Sequence, residues 1–399
     1  MKIEVRPNQT HWPSLLVLIC LVPFAGFFLL SSIGFLLNSI YLIFDGSGDP
    51  VGSLIASLAT SFEGVLILAA SWFVLQKTSG GGKSELDAKL SYPDGYVFIA
   101  IVVGITAFFI GSVISIHNNL PWGLVLQPGF TLFVIMLPII ILAYMAIRKI
   151  YLGSLWQTWA IFGLGMTLAP LIVIFIELFF GLVFITIFAF VIASQPELIN
   201  EFTRVVQNFD PQVGQDKLFE LLASVIMRPG VIAGIMLYLA ILVPLIEELF
   251  KPLGVWLFSG KIRQPAQGFA LGIVCGAAFA IVEGFGISGQ GGPQWPVVVG
   301  LRAGTSLLHI ATTGLMGYAI ISAVKEKRIT LLVITYLTSV LIHGLWNAAA
   351  AGMGISFVSE FSRKDDLLNG VLPASIGGIA VLVTGMLIML HRANRRFAV

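Results

Sequence analysis

The chain has 399 residues, of which 57% are hydrophobic and only 11% charged, and its mean hydropathy is +0.97. A composition this apolar excludes a water-soluble globule and makes lipid the main solvent. The formal net charge of +2 gives no electrostatic footprint for nucleic acid. Cys20 and Cys275 both fall in apolar stretches, so neither a disulfide framework nor a cysteine metal site is indicated.

A membrane-spanning helix needs about 20 mostly apolar residues to cross a hydrocarbon core about 30 Å thick. Ten segments meet that requirement, near 13–36, 51–76, 95–117, 127–147, 157–194, 231–258, 266–288, 297–323, 329–352 and 370–391. The predicted fold class is therefore an all-α polytopic membrane protein of about ten transmembrane helices. The first segment reads as a retained anchor rather than a cleaved signal. The fifth contains Pro170 and is long for one crossing, so it is expected to tilt, kink or project beyond the bilayer.

Basic residues in short loops resist translocation. Lys2, Arg6, Lys77, Lys83, Lys89, Arg148, Lys149, Lys261, Arg263, Lys325, Lys327, Arg328, Arg392, Arg395 and Arg396 fall on one side, which is 15 of the 22 Lys and Arg residues. Arg204, Lys217, Arg228, Arg363 and Lys364 fall on the other, beside at least as many acidic residues. This bias predicts an inner (plasma) membrane protein with both termini cytoplasmic.

Four regions follow from the loops. Residues 1–94 form a two-helix region ending in a Gly- and Ser-rich cytoplasmic linker, 77–94. Its GGGKS run lacks the first glycine of a phosphate loop, because Lys77 occupies that position. Residues 95–228 hold accessory helices and an external stretch in which Leu198, Ile199, Phe202, Val205, Val206 and Phe209 recur at helical spacing. Residues 229–352 carry the polar core, and 353–399 an external loop, a last span and a basic tail.

An ionisable group in hydrocarbon costs about 2.5 to 3.5 kcal/mol on insertion scales, so each one needs a partner or a function. The first five spans hold only Glu63 and Glu177, whereas spans six to nine hold Glu247, Glu248, Lys251, Glu283, Arg302, His309, His343 and Asn347. Glu247 and Lys251 stand one turn apart, at the spacing of a neutralising pair. Glu283 and Arg302 both lie near the outer ends of their spans and can form a structural ion pair. His343 and Asn347 share one helix face.

Such a set can perform hydrolysis: a carboxylate takes a proton from water, a histidine passes it to the leaving amine, and histidine with asparagine donates to the oxyanion. Alternatively Glu248, Glu283, His309 and His343 are candidates to hold a divalent metal such as zinc that activates the water. No HExxH is present. The same carboxylates and histidines would also serve a proton- or ion-coupled transporter.

EELFK at 247–251, FAIVE at 279–283, His309 in LLHIATTG and HGLWN at 343–347 resemble, in that order, the motifs of the PrsW intramembrane proteases. These belong with the CAAX-processing and bacteriocin-related membrane proteases, where the position of Glu283 is often histidine. The resemblance implies that Glu247 and Glu248 activate water, that Glu283 assists, that His343 and Asn347 form the oxyanion pocket, and that His309 is the third-motif histidine. Thr313 stands where an acidic residue would be expected. The resemblance implies a membrane-anchored protein substrate, with anti-sigma factors as a candidate class, and leaves metallo- and glutamate-type mechanisms equally workable.

Overall fold

The computed structural model describes residues 11–46, 48–79, 87–88, 94–116, 121–207, 223, 226–287, 294–362 and 370–398. Among them there is no β-strand. Ten helical stretches are long and apolar enough to cross a membrane, as the hydropathy pattern predicts. The protein is a multi-pass membrane protein. The helices are α1 (Trp12–Asp45), α2 (Pro50–Thr78), α3 (Asp94–Ile116), α4 (Pro121–Ile147), α5 (Leu155–Met166), α6 (Leu168–Ala193), α7 (Pro196–Gln207) and α8 (Pro229–Leu237). A π-helical turn, Tyr238–Leu242, leads into α9 (Val243–Phe250). The chain continues through α10 (Leu253–Phe258), α11 (Pro265–Ile287), α12 (Trp295–Glu326), α13 (Ile329–Ser362) and α14 (Val371–Phe397).

Two predicted spans are interrupted. The fifth divides into α5 and α6 at Thr167, whose hydroxyl turns back onto the Gly163 carbonyl at 2.8 Å. The break falls just ahead of Pro170, which has no N–H to give the Met166 carbonyl four residues back. The sixth divides twice. Pro244 has no N–H to give the preceding turn, and there the helix widens to π pairing, with Val243 N–H bonding Tyr238 O. Pro252 then separates α9 from α10.

Of the 77–94 linker, residues 80–86 and 89–93, including the GGGKS run, lie outside the described residues. Asp87 pairs with Ser154 in an isolated antiparallel bridge, and Ala88 N–H donates to Gly153 O at 2.8 Å. Part of the stretch predicted to be external is helical, as α7. Apart from Ile199, the side chains assigned to its apolar face lie outside the described residues.

The chain forms two compact units. The first comprises Met1–Leu171, Phe250–Thr335 and Met386–Val399. Its innermost helices are α11 and α12, whose apolar windows are 89% and 78% buried. Glycine makes their approach possible. A Cβ on Gly268, Gly272 or Gly276 would collide with the backbone carbonyls of Gly317, Thr313 or His309. With little hydrophobic force between helices in lipid, this close backbone packing is what binds the pair. α12 is anchored at its start by Trp295, which donates to Thr131 Oγ1 of α4 at 2.7 Å. Asn394 near the end of α14 donates to the Ala146 and Arg148 carbonyls at 3.0 and 2.7 Å, satisfying the C-terminus of α4.

The second unit comprises Ile172–Leu249 and Tyr336–Gly385. Tyr238 packs on Phe184 and donates to the Glu177 carbonyl at 2.9 Å, which ties the π turn to α6. α13 lies against the same turn through Gly344, where a Cβ would overlap the Ala240 carbonyl oxygen.

Gly272→Leu would drive a side chain into the α12 backbone and is expected to cost about 1 to 3 kcal/mol, seen as a lowered melting temperature of the purified protein. Gly286→Ala, on the same helix with nothing within 4 Å of the added carbon, should leave the melting temperature unchanged.

Candidate active site

The polar residues of spans six to nine fall into two clusters, one in each unit. In the second unit, α9 carries Glu247 and Glu248, and α13 carries His343 and Asn347. Glu248 is fully buried and His343 is 2% exposed. His343 Nδ1 lies 2.8 Å from Glu248 Oε1, and its Nε2 lies 4.0 Å from Glu247 Oε2. An ionised Glu248 can only accept, which places the proton of this bond on Nδ1. The bond fixes the ring and turns Nε2 toward Glu247.

Asn347 shares that face of α13, one turn beyond His343. Its amide Nδ2 donates to the Leu239 carbonyl at 2.9 Å. Tyr336, on the same face seven residues before His343, donates to the Leu245 carbonyl at 2.7 Å. Tyr336 and Gly344 were not picked out by the sequence reading. Their signal is the shared helical face, with Tyr336, His343, Gly344 and Asn347 falling at i, i+7, i+8 and i+11.

In the first unit, α11 carries Glu283 and α12 carries Arg302 and His309. Arg302 donates to Glu283 Oε1 at 2.9 Å, so the predicted structural ion pair is present. His309 Nε2 pairs with Glu283 Oε2, so each carboxylate oxygen of Glu283 meets a different nitrogen. Lys251, fully buried, donates from Nζ to His309 Nδ1 at 3.0 Å and stands over the Phe279 ring, 5.8 Å from its centroid. The Phe279 ring in turn packs on His309 at 5.3 Å. An ammonium has no acceptor, so the ring proton of a neutral His309 is placed on Nε2, facing Glu283.

For a metal, Glu283 and His309 of this unit are able to supply a carboxylate oxygen and an imidazole nitrogen. These are the donor types of catalytic zinc sites, so the residue chemistry fits such an ion. Binding through His309 Nε2 would displace the proton held there, as metal binding to imidazole generally does. The sequence reading placed Glu248 and His343 among the candidate ligands; the structure pairs those two with each other.

These features place bonded glutamates and histidines inside the helices of a membrane protein. Residues 214–363 match the model of the PrsW family of intramembrane metalloproteases, and the match contains all four motifs. Over that stretch the chain is similar to PrsW-family proteases, and the protein is an intramembrane peptidase. No curated protein and no solved structure matches the chain.

Lys251→Met removes the buried ammonium from His309 Nδ1. It is expected to destabilise the protein by about 1 to 3 kcal/mol, measured as a drop in the thermal or denaturant midpoint of the purified protein.

Proposed function

We propose that the protein hydrolyses a peptide bond of a membrane-anchored protein, with a water activated by Glu247 and Glu248 and a proton relayed through His343. The observation that carries this reading is the buried Glu248–His343 bond, with the second imidazole nitrogen turned toward Glu247. Glu248 orients the ring and stabilises its protonated form. Glu247 takes a proton from water as the oxygen attacks the carbonyl carbon. Nε2 of His343 passes that proton to the leaving nitrogen, so water and peptide become a carboxylic acid and an amine.

The family motifs also give roles to Glu283 and His309. With both oxygens of its carboxylate engaged, Glu283 is held in one orientation, ready to bind or polarise rather than to swing. Asn347, beside His343, is the residue that the family motif assigns to the oxyanion pocket. Glu283 and His309 are the residues of the first unit that would offer donors to a divalent ion, which when bound lowers the pKa of a coordinated water to about 7. A protease domain gives no support to the transport reading.

The substrate class that fits the motifs is a membrane-anchored anti-sigma factor or a similar single-pass protein. The site for the cut would lie within or beside the bilayer. The excess of Lys and Arg in one set of loops supports an inner (plasma) membrane setting with both termini in the cytoplasm.

Co-expression with a tagged membrane-anchored substrate tests this. Glu247→Gln and His343→Ala are each expected to lower cleavage by about 100-fold or more while insertion and yield persist. Persistent cleavage in both variants, or ion flux in liposomes without new peptide ends, would overturn the proposal. Chelator treatment followed by readdition of single divalent ions separates the metal from the glutamate mechanism. The metal mechanism requires activity to fall on chelation and return with the ion, with metal content by mass spectrometry tracking it.

A further inference from the structure

We infer that Asn347 and Tyr336 are positioning residues that latch the π turn beneath the two glutamates, with Asn347 acting on the backbone of Leu239. The inference deepens the proposed proteolysis and rests on it for its consequence, but its geometry stands alone.

The need for a latch comes from Pro244. In an α-helix the Leu239 carbonyl would accept from Val243 N–H, but that N–H bonds Tyr238 O. In π pairing it would accept from residue 244, which is proline and has no N–H. Leu239 O therefore loses its helical donor in either register. An unsatisfied carbonyl in a membrane interior costs several kcal/mol, so a donor must come from elsewhere. Asn347 Nδ2 supplies it at 2.9 Å.

Two further features hold the same segment. Gly344 admits the Ala240 carbonyl where any side chain would collide with it. Tyr336 donates to Leu245 O at 2.7 Å, two residues before Glu247. Together they fasten α13 to the π turn and to the first turn of α9.

The consequence is directional. One extra residue in a helical turn rotates all that follows by about 100°. The π turn therefore sets which way Glu247 and Glu248 face, and closing it to α pairing would swing both carboxylates off the face that meets His343. Asn347, one turn from His343, holds the turn open on the helix that presents the imidazole. Residue and target are thus set by the same two helices.

Hydrogen–deuterium exchange of the full-length protein in nanodiscs, read by mass spectrometry, tests the latch without any substrate. Asn347→Leu and Tyr336→Phe are each expected to speed exchange across 238–249 by roughly two- to tenfold, with exchange over 265–287 unchanged. With a membrane-anchored substrate, kcat should fall about tenfold with KM unchanged, and Asn347→Gln, which keeps an amide donor, should recover part of it. Loss of kcat in Asn347→Leu with exchange over 238–249 unaltered would overturn the inference and return Asn347 to the reacting atoms. Should Asn347→Leu fail to fold, Tyr336→Phe decides alone: it removes one oxygen and no packing volume, and unaltered exchange in it overturns the latch. If exchange responds as expected but Glu248→Gln still cleaves, the latch stands and the proposed chemistry fails.

Discussion

Hydrocarbon does not solvate charge, and that constraint organises the C-terminal half of this chain. Glu248 is fully buried, and the imidazole of His343 at 2.8 Å is what makes its burial tolerable. The same rule accounts for the grip of Arg302 and His309 on Glu283 and for the donation of a fully buried Lys251 to His309. Each pair is bonded because leaving either partner alone in lipid would cost more than the fold can spare. Paired charges of this kind also hold their side chains in fixed orientations, which is what acid–base catalysis requires.

The backbone obeys the same constraint. Proline at 244 and 252 removes hydrogen-bond donors from the helix that carries the glutamates, and the structure answers with a π turn, a break and an asparagine amide. Around α11 and α12, glycine does the complementary work. Close approach at Gly268, Gly272 and Gly276 brings two backbones together, and Glu283 and His309 emerge from that packed pair already paired. Irregular backbone at depth is tolerated where protein groups satisfy it.

Much of this was legible in the residues. Hydropathy alone located all ten spans, because length and apolarity are what a bilayer demands. The Glu283–Arg302 pair followed from matching depth in adjacent spans, and it is present. The partnership of Lys251 with His309 was not legible, since 58 residues separate them and spacing speaks only of neighbours on one helix. Nor was the π turn. Apolar periodicity cannot register one extra residue in a helix that is hydrophobic nearly all round, although Pro244 marked where it would fall. Thr167, where the fifth span breaks, carries no strong signal of its own; the signal is Pro170 just beyond it.

The central claim is that the Glu248–His343 pair lies at the heart of a water-consuming cleavage in the membrane. Its most direct test is cleavage of a membrane-anchored substrate by the purified protein in water enriched in oxygen-18, with the new C-terminus weighed by mass spectrometry. The account requires one heavy oxygen in that carboxylate with the native protein and no labelled product with Glu248→Gln. Labelled product at an undiminished rate from a folded Glu248→Gln protein would contradict it.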